Sequence, residues 1–365
     1  MEKVSNGKIR VLEIGMHDQM GGIENFLMNY YRELKDTDIQ MDFLIPYKDG
    51  GYYDEEIESF GGKVYKLTFK NDKNIFKFQR DLDLFFKTHK FDIIHCSDTG
   101  LGYFYLKYAK KNGCKIRIAH SHASASESGL KGFIKTILMH AYVKEANVYF
   151  ACSHLAGDYM FPNKKYKVIS NSIDYNKYKF NLTFRKDIRT RLNYKDTDIV
   201  IGNIGRLSEQ KNQTYILKIL YKLPQNFKLL IIGEGPKEGE LSKLIDELEL
   251  NDRVKIMRPL KEINEYYNCF DLFVLSSLYE GLPVVGIESQ VNGLHCLFSD
   301  TITKEVNFTN NIDFKSLNSP EKWIDRIENC DKKRISNIPD DYNILQTASL
   351  LKKEYYRLED EYGKN

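Results

Sequence analysis

Short apolar runs alternate with longer mixed segments along this chain, and past the midpoint the alternation begins again. The first series is "KIRVLEIG" (8–15), "MDFLIP" (41–46), "GKVYKL" (62–67), "FDIIHC" (91–96), "KIRIAHSH" (115–122), "VYFACS" (148–153) and "YKVISNSID" (166–174). The second is "DIVIGNIG" (198–205), "FKLLIIGEG" (227–235), "DRVKIMRP" (252–259), "DLFVLSS" (271–277) and "HCLFSD" (295–300). Between them stand helical patterns such as "IENFLMNYYREL", "QTYILKILYKL" and "PKEGELSKLIDELEL". Strands alternating with helices predict parallel sheets covered on both faces, and doing so twice predicts two α/β domains. At 365 residues the chain also exceeds one ordinary core. The expected boundaries are 1–172 for the first domain and 173–341 for the second, with 342–365 a helix packing back across the interface.

Composition narrows the function. Lys and Arg number 54 against 51 Asp and Glu, a net +3 that gives no reason to expect nucleic acid. The six cysteines show no CxxC spacing, which suits reduced thiols rather than a disulfide frame or a zinc site. The opening "MEKVSNGKIRVLEIGM" lacks a long apolar core, so no signal peptide is expected, and no apolar run is long enough to span a bilayer. A cytoplasmic protein is expected, peripheral at the inner face of the membrane if it touches one. The loop "GMHDQMGGIEN" is not GxGxxG, and neither GxxxxGK[ST], GxSxG nor HExxH occurs.

Ligands of open α/β sheets bind at the C-terminal ends of strands. Three such loops of the second half carry chemistry. In "GNIGRLSEQKN", Arg206 follows Gly205 directly and Lys211 stands near a helix start, so two cations lie beside free N–H groups, a natural diphosphate clamp. "IIGEGP" supplies Gly233 and Gly235. In "SSLYEGLPVVGIESQ", Glu280 precedes a helix start at Gly281, Leu282 and Pro283, and Glu288 lies within that helix. A carboxylate accepts two hydrogen bonds side by side and so matches a vicinal diol. The bland alternatives are solvated surface charges for Arg206 and Lys211, an N-terminal dipole partner for Glu280 and an exposed helix position for Glu288.

These elements together resemble the retaining glycosyltransferases of the GT-B fold, family 4, in particular members that build bacterial exopolysaccharide or capsule. The likeness rests on Glu280 to Glu288 with "EGLP" inside, on "GRLSEQK", "IIGEGP", "GGIENFLMN", "VISNSID" and "ACSHLAGDYMF", and spans about residues 8 to 305. It implies two Rossmann-like domains facing across a cleft and a hexosyltransferase that retains anomeric configuration without a metal or other cofactor. Arg206 and Lys211 would hold the donor diphosphate, Glu288 the nucleotide ribose and Glu280 the transferred sugar. Gly21 and Gly22 would let the N-terminal loop approach the phosphate, with Gly205, Gly281 and Leu282 completing the donor site. His122 would face the donor sugar. His120, one alternate residue away, shares its strand face and stays open as the alternative. Catalysis would come from leaving-group stabilisation and cleft closure. UDP is the expected nucleotide, and a glycan or lipid-linked saccharide the expected acceptor.

Two departures stand out. Ser172 replaces the linker glycine of the family, with Asp174 kept, and Ala123 follows His122 where a polar residue is usual. On the acceptor side, "SGLKGFIKTILMHAYVK" (128–144) joins Leu130, Phe133, Ile134, Ile137 and Leu138 with Lys131, Lys135 and Lys144. It reads either as a basic amphipathic helix on an anionic membrane or as an ordinary domain helix. Two other functions fit the same architecture: a sugar-nucleotide epimerase or hydrolase, and a non-catalytic donor-binding partner of another transferase.

Overall fold

The computed structural model describes residues 7–17, 21–122, 129–260, 262–335 and 337–363, with 129–135 described as helical backbone only. Ala123 and the side chains of Leu130, Lys131, Phe133, Ile134 and Lys135 lie outside the described residues. The chain divides into two compact units, Met1–Ser172 with Tyr342–Asn365, and Ile173–Asp341.

The first unit holds β1 (Ile9–Ile14), β2 (Ile39–Ile45), β3 (Val64–Lys66), β4 (Ile93–Cys96), β5 (Ile116–Ser121), β6 (Val148–Ala151) and β7 (Lys167–Val168). They form a parallel sheet in the order β3-β2-β1-β4-β5-β6-β7. The second unit holds β8 (Ile199–Ile204), β9 (Phe227–Ile232), β10 (Val254–Met257), β11 (Leu272–Leu275), β12 (His295–Ser299) and β13 (Ile312–Lys315). Its parallel order is β10-β9-β8-β11-β12-β13. In each sheet the strand order reverses once, between β1 and β4 and between β8 and β11. Crossovers leave opposite faces there and open a crevice at the C-terminal strand ends, where such sheets bind ligands.

The central strands are buried along their whole length, β8, β11 and β12 without an exposed residue, which is why they appear as unbroken apolar runs. The Gly22–Leu34 helix buries Phe26, Leu27, Tyr30, Tyr31 and Leu34, a stripe at helical spacing. The C-terminal helix, Ile344–Leu358, starts at Asn343, whose side chain accepts the Leu345 N–H at 3.3 Å. Its Ile344, Ala348, Leu351, Tyr355 and Leu358 enter the same core as Phe26 and Tyr30, so the last helix is part of the first unit.

Among the elements that went unforeseen are β13 and the Pro320–Glu328 helix, which buries Trp323 completely. The Trp323 ring packs against Tyr215, and its N–H donates to the Ser316 carbonyl at 3.0 Å. Ser172 does not occupy the left-handed region, so its backbone has no need of the glycine it replaces. Its carbonyl accepts from Asn29 Nδ2 at 3.0 Å, and Tyr30 donates to the Ser170 carbonyl at 2.8 Å.

Candidate functional site

In the second unit the loops after β8 and β9 lock together through glycine. Leu207 N–H donates to the Glu234 carbonyl at 2.9 Å, and Lys237 N–H returns to the Leu207 carbonyl at 3.1 Å. A Cβ on Gly233 would lie 2.0 Å from the Gly205 carbonyl oxygen, and one on Gly235, at φ +157°, 2.3 Å from that of Leu207. Neither approach survives any other residue.

The β8 loop is also bonded to the loop after β11, across the strand-order reversal. Leu278 N–H donates to the Gln210 carbonyl at 2.8 Å, Gln210 Nε2 to the Tyr279 carbonyl at 2.9 Å and Asn212 Nδ2 to the Ser276 carbonyl at 3.2 Å. These bonds bring together residues far apart in sequence. Lys211 Nζ lies 2.5 Å from Glu280 Oε1, with side chains 18% and 10% exposed, and the Lys211 stem passes over Gly205. Arg206 is exposed and its guanidinium has no carboxylate partner among the described residues. Gly281 is half-buried and Leu282 buried at the entrance to the Val284–Val291 helix.

Glu288 stands apart from that pair. Far from being an exposed helix position, it is 4% exposed and turned inward, where Oε1 accepts from Tyr178 at 2.8 Å and Oε2 from Tyr267. Burial pushes its carboxyl above the ordinary range while the two phenols pull it down. A carboxylate offers about four lone-pair sites, so two remain. Sequence reasoning missed Tyr178 and Tyr267, since nothing local distinguishes them from the chain's other tyrosines.

In the first unit the reversal lies between β1 and β4. Gly15, at φ +138°, lets the two strand ends meet: a Cβ there would sit 2.8 Å from that of Ser97. Ser97 Oγ is 3.3 Å from Nε2 of His122, which follows β5 directly. The His122 ring packs edge-on to Phe26 at 4.9 Å. It is half-buried, and burial first, then the nearby His95 imidazole, push its pKa down to about 3, against a hydrogen bond with Asn171. His120 shares the strand face but is fully buried and faces His95. Gly21 caps the Gly22–Leu34 helix, and beneath it buried Glu24 accepts the His17 N–H at 2.8 Å.

In the Gly129–Glu145 helix, Ile137 is 54% exposed and Lys144 is exposed, while Tyr142 is fully buried and accepts the His120 N–H at 3.1 Å. No helix among the described residues is long and apolar enough to cross a membrane. None of the six cysteines forms a disulfide. No group of three or more His, Cys, Asp or Glu among the described residues is arranged to hold a metal.

Two family models match the chain in succession: Glycosyltransferase Family 4 over residues 20–177 and Glycosyl transferases group 1 over residues 184–329. The chain is 29% identical to a putative glycosyltransferase, EpsF, of Bacillus subtilis (strain 168), over 83% of this chain and 82% of that one. It is 22% identical, over 97% and 98%, to the UDP-Gal:alpha-D-GlcNAc-diphosphoundecaprenol alpha-1,3-galactosyltransferase of Escherichia coli. Among solved structures it is similar to Anabaena HepE in complex with UDP and glucose, with a TM-score of 0.76 at 16% identity over 97% and 98% of the chains. Sucrose-phosphate synthase from Thermosynechococcus elongatus gives 0.74 at 15% identity, over 97% and 100%.

Proposed function

Since the chain is a glycosyltransferase of the GT-B type in both of its units, we propose that it moves a hexose or N-acetylhexosamine from a UDP-linked donor to a glycan or lipid-linked glycan, with retention, in surface polysaccharide synthesis. The observation that carries this reading is the Lys211–Glu280 pair, assembled at a strand-order reversal in the loop that also carries exposed Arg206. The names of relatives support it: the E. coli enzyme takes UDP-Gal and a diphosphoundecaprenol-linked acceptor, and HepE was solved with UDP and glucose.

Arg206 and Lys211 neutralise the donor diphosphate and stabilise it as it leaves, which preorganised cations do best in a partly dry site. Glu280, released from Lys211, accepts from hydroxyls of the transferred sugar. Glu288 uses its two remaining lone-pair sites for the ribose diol, oriented by Tyr178 and Tyr267. Gly205, Gly281 and Leu282 present backbone to the donor. Gly21, Gly22 and His122 serve the same transfer from the first unit. No metal is required in this reading, because the two cations meet the charge of the diphosphate.

The test is a thermal-shift panel of UDP, GDP, ADP and NAD⁺, with Mg²⁺ and with EDTA, followed by NMR of the product from a UDP-sugar. Stabilisation by UDP alone, unchanged by EDTA, and an α-linked product from an α-linked donor are expected. A response to NAD⁺ only, or to no nucleotide, removes the donor-site reading, and an inverted product removes retention.

A further inference from the structure

Beneath His122 lies a line of buried polar side chains with no role in the site described so far. Glu13 of β1 and His95 of β4 are register partners, and Glu13 Oε1 is 3.1 Å from His95 Nδ1 and 3.0 Å from the Tyr355 hydroxyl. Tyr355 also approaches His95 Nδ1 at 2.7 Å. On its far side, His95 Nε2 is 2.9 Å from His120 Nδ1, with the two rings within 5° of parallel. Glu13 is 1% exposed, and His95, His120 and Tyr355 are fully buried. Apolar side chains would fill this space without the cost of desolvating a carboxylate and two imidazoles.

The bonding pattern orders the protons in series. With the Tyr355 hydroxyl donating to Glu13, His95 Nδ1 meets only acceptors, so His95 carries its proton there and offers a lone pair at Nε2. His120 fills that lone pair with its own Nδ1–H, which leaves His120 Nε2 bare. Within this line of side chains, His120 Nε2 and Glu13 Oε2 have no hydrogen-bond partner among the described residues. The His120 ring then lies 4.2 Å from that of His122, tilted by 31°. Buried hydrogen bonds in series polarise one another, so the charge of Glu13 is expressed as an electron-rich ring under His122. Among the described residues, Ser97, Asn171 and Phe26 also meet His122, and none of these three is charged.

We propose that Glu13, His95 and His120 are positioning residues of the transfer: their chain holds the His122 ring in place and lends negative potential to the sugar as it gains positive charge on losing the diphosphate. The proposal rests on the reading of His122 given above.

The decisive variant is Glu13→Gln in the full-length chain, which keeps the shape of the carboxyl and deletes its charge. A fall in kcat of about tenfold or more is expected, a size seen for outer-shell partners, with KM for the UDP-sugar and the UDP-induced thermal shift unchanged. Tyr355→Phe removes one hydrogen bond and leaves the charge, so its kcat stays near that of the parent. ¹⁵N NMR reads His120 as the Nδ1–H tautomer in the parent. Full kcat in Glu13→Gln, losses in both variants that merely follow melting temperature, or an Nε2–H His120 each overturn the proposal. Should Glu13→Gln not fold, His120→Asn, which keeps an N–H for His95 and removes the ring, carries the same expectation. Full activity in His122→Ala overturns the underlying reading of His122 instead, which separates the two failures.

Discussion

Lys211 and Glu280 are each other's partner, so on the proposed function a sugar nucleotide would exchange one set of charge-assisted bonds for another. Removing either side chain leaves the other charge poorly solvated, which costs on the order of 3 kcal/mol for buried pairs. Lys211→Met is therefore expected to lower both thermal stability and UDP affinity. Glu280→Ala is expected to cut transfer by about 100-fold or more, as loss of one group aimed at the reacting sugar does, while UDP still binds. The double variant Lys211→Met, Glu280→Gln regains stability without regaining transfer; melting curves beside activity assays check this. Glu288 gives a different signature. Burial raises its folded pKa above the ordinary glutamate value of 4.5, so the folded chain holds that proton more tightly than the unfolded one. That contribution is fully present below pH 4.5 and is lost as pH rises through the raised value. Glu288→Gln does not titrate, so its melting temperature relative to the parent climbs as pH is raised from 4.5, even as UDP affinity falls.

At the scale of elements, β5 carries the histidine cluster to the strand end. His120 and His122 both have lowered pKa values, so the unfolded chain binds protons that the folded chain refuses. Their stabilising effect is full above pH 6.5 and is lost as pH falls, for His122 toward pH 3. A parent that loses stability on acidification through this window, and a His122→Asn variant that loses less, are expected from melting curves between pH 7 and pH 4. The helices and strands differed in legibility for physical reasons. β8 and β11 are buried on both faces and declare themselves as apolar runs. β13, "IDFK", is an edge strand with one fully buried residue, and β7 has only two residues, so neither needs such a run. The Pro320–Glu328 helix is short and largely polar, and it turns inward through Trp323 and Ile327. Lys211 and Glu280 were legible because both lie in the loops that follow apolar strands. Glu13 was not: an acid inside "RVLEIG" looks like a defect until the fold sets His95 beside it.

At the scale of the molecule, the two units have separate cores, and UDP is expected to bind residues of the second. Unfolding is then not a single two-state event. A saturating nucleotide is expected to raise the transition of the second unit, by about 2.7 kcal/mol at a hundredfold excess over Kd. Hydrogen exchange resolved by segment checks that the first unit moves less. Leu351→Ala acts on the opposite unit. It deletes a fully buried side chain from the last helix and is expected to cost the first unit about 3 kcal/mol, typical for leucine truncation.

The first unit begins the chain and also ends it, because Tyr342–Asn365 returns to complete it. During synthesis the order of making and the order of finishing are therefore inverted. The second unit has all its residues while the earlier one still waits for Ile344, Leu351, Tyr355 and Leu358 to leave the ribosome. Until then the Gly22–Leu34 helix keeps an apolar stripe uncovered and Glu13 lacks its phenol. A nascent or prematurely stopped chain ending near residue 341 thus pairs a finished second unit with an unfinished first one. Chaperone capture and proteolysis would act on that unfinished half until the Ile344–Leu358 helix is made and packs into its core.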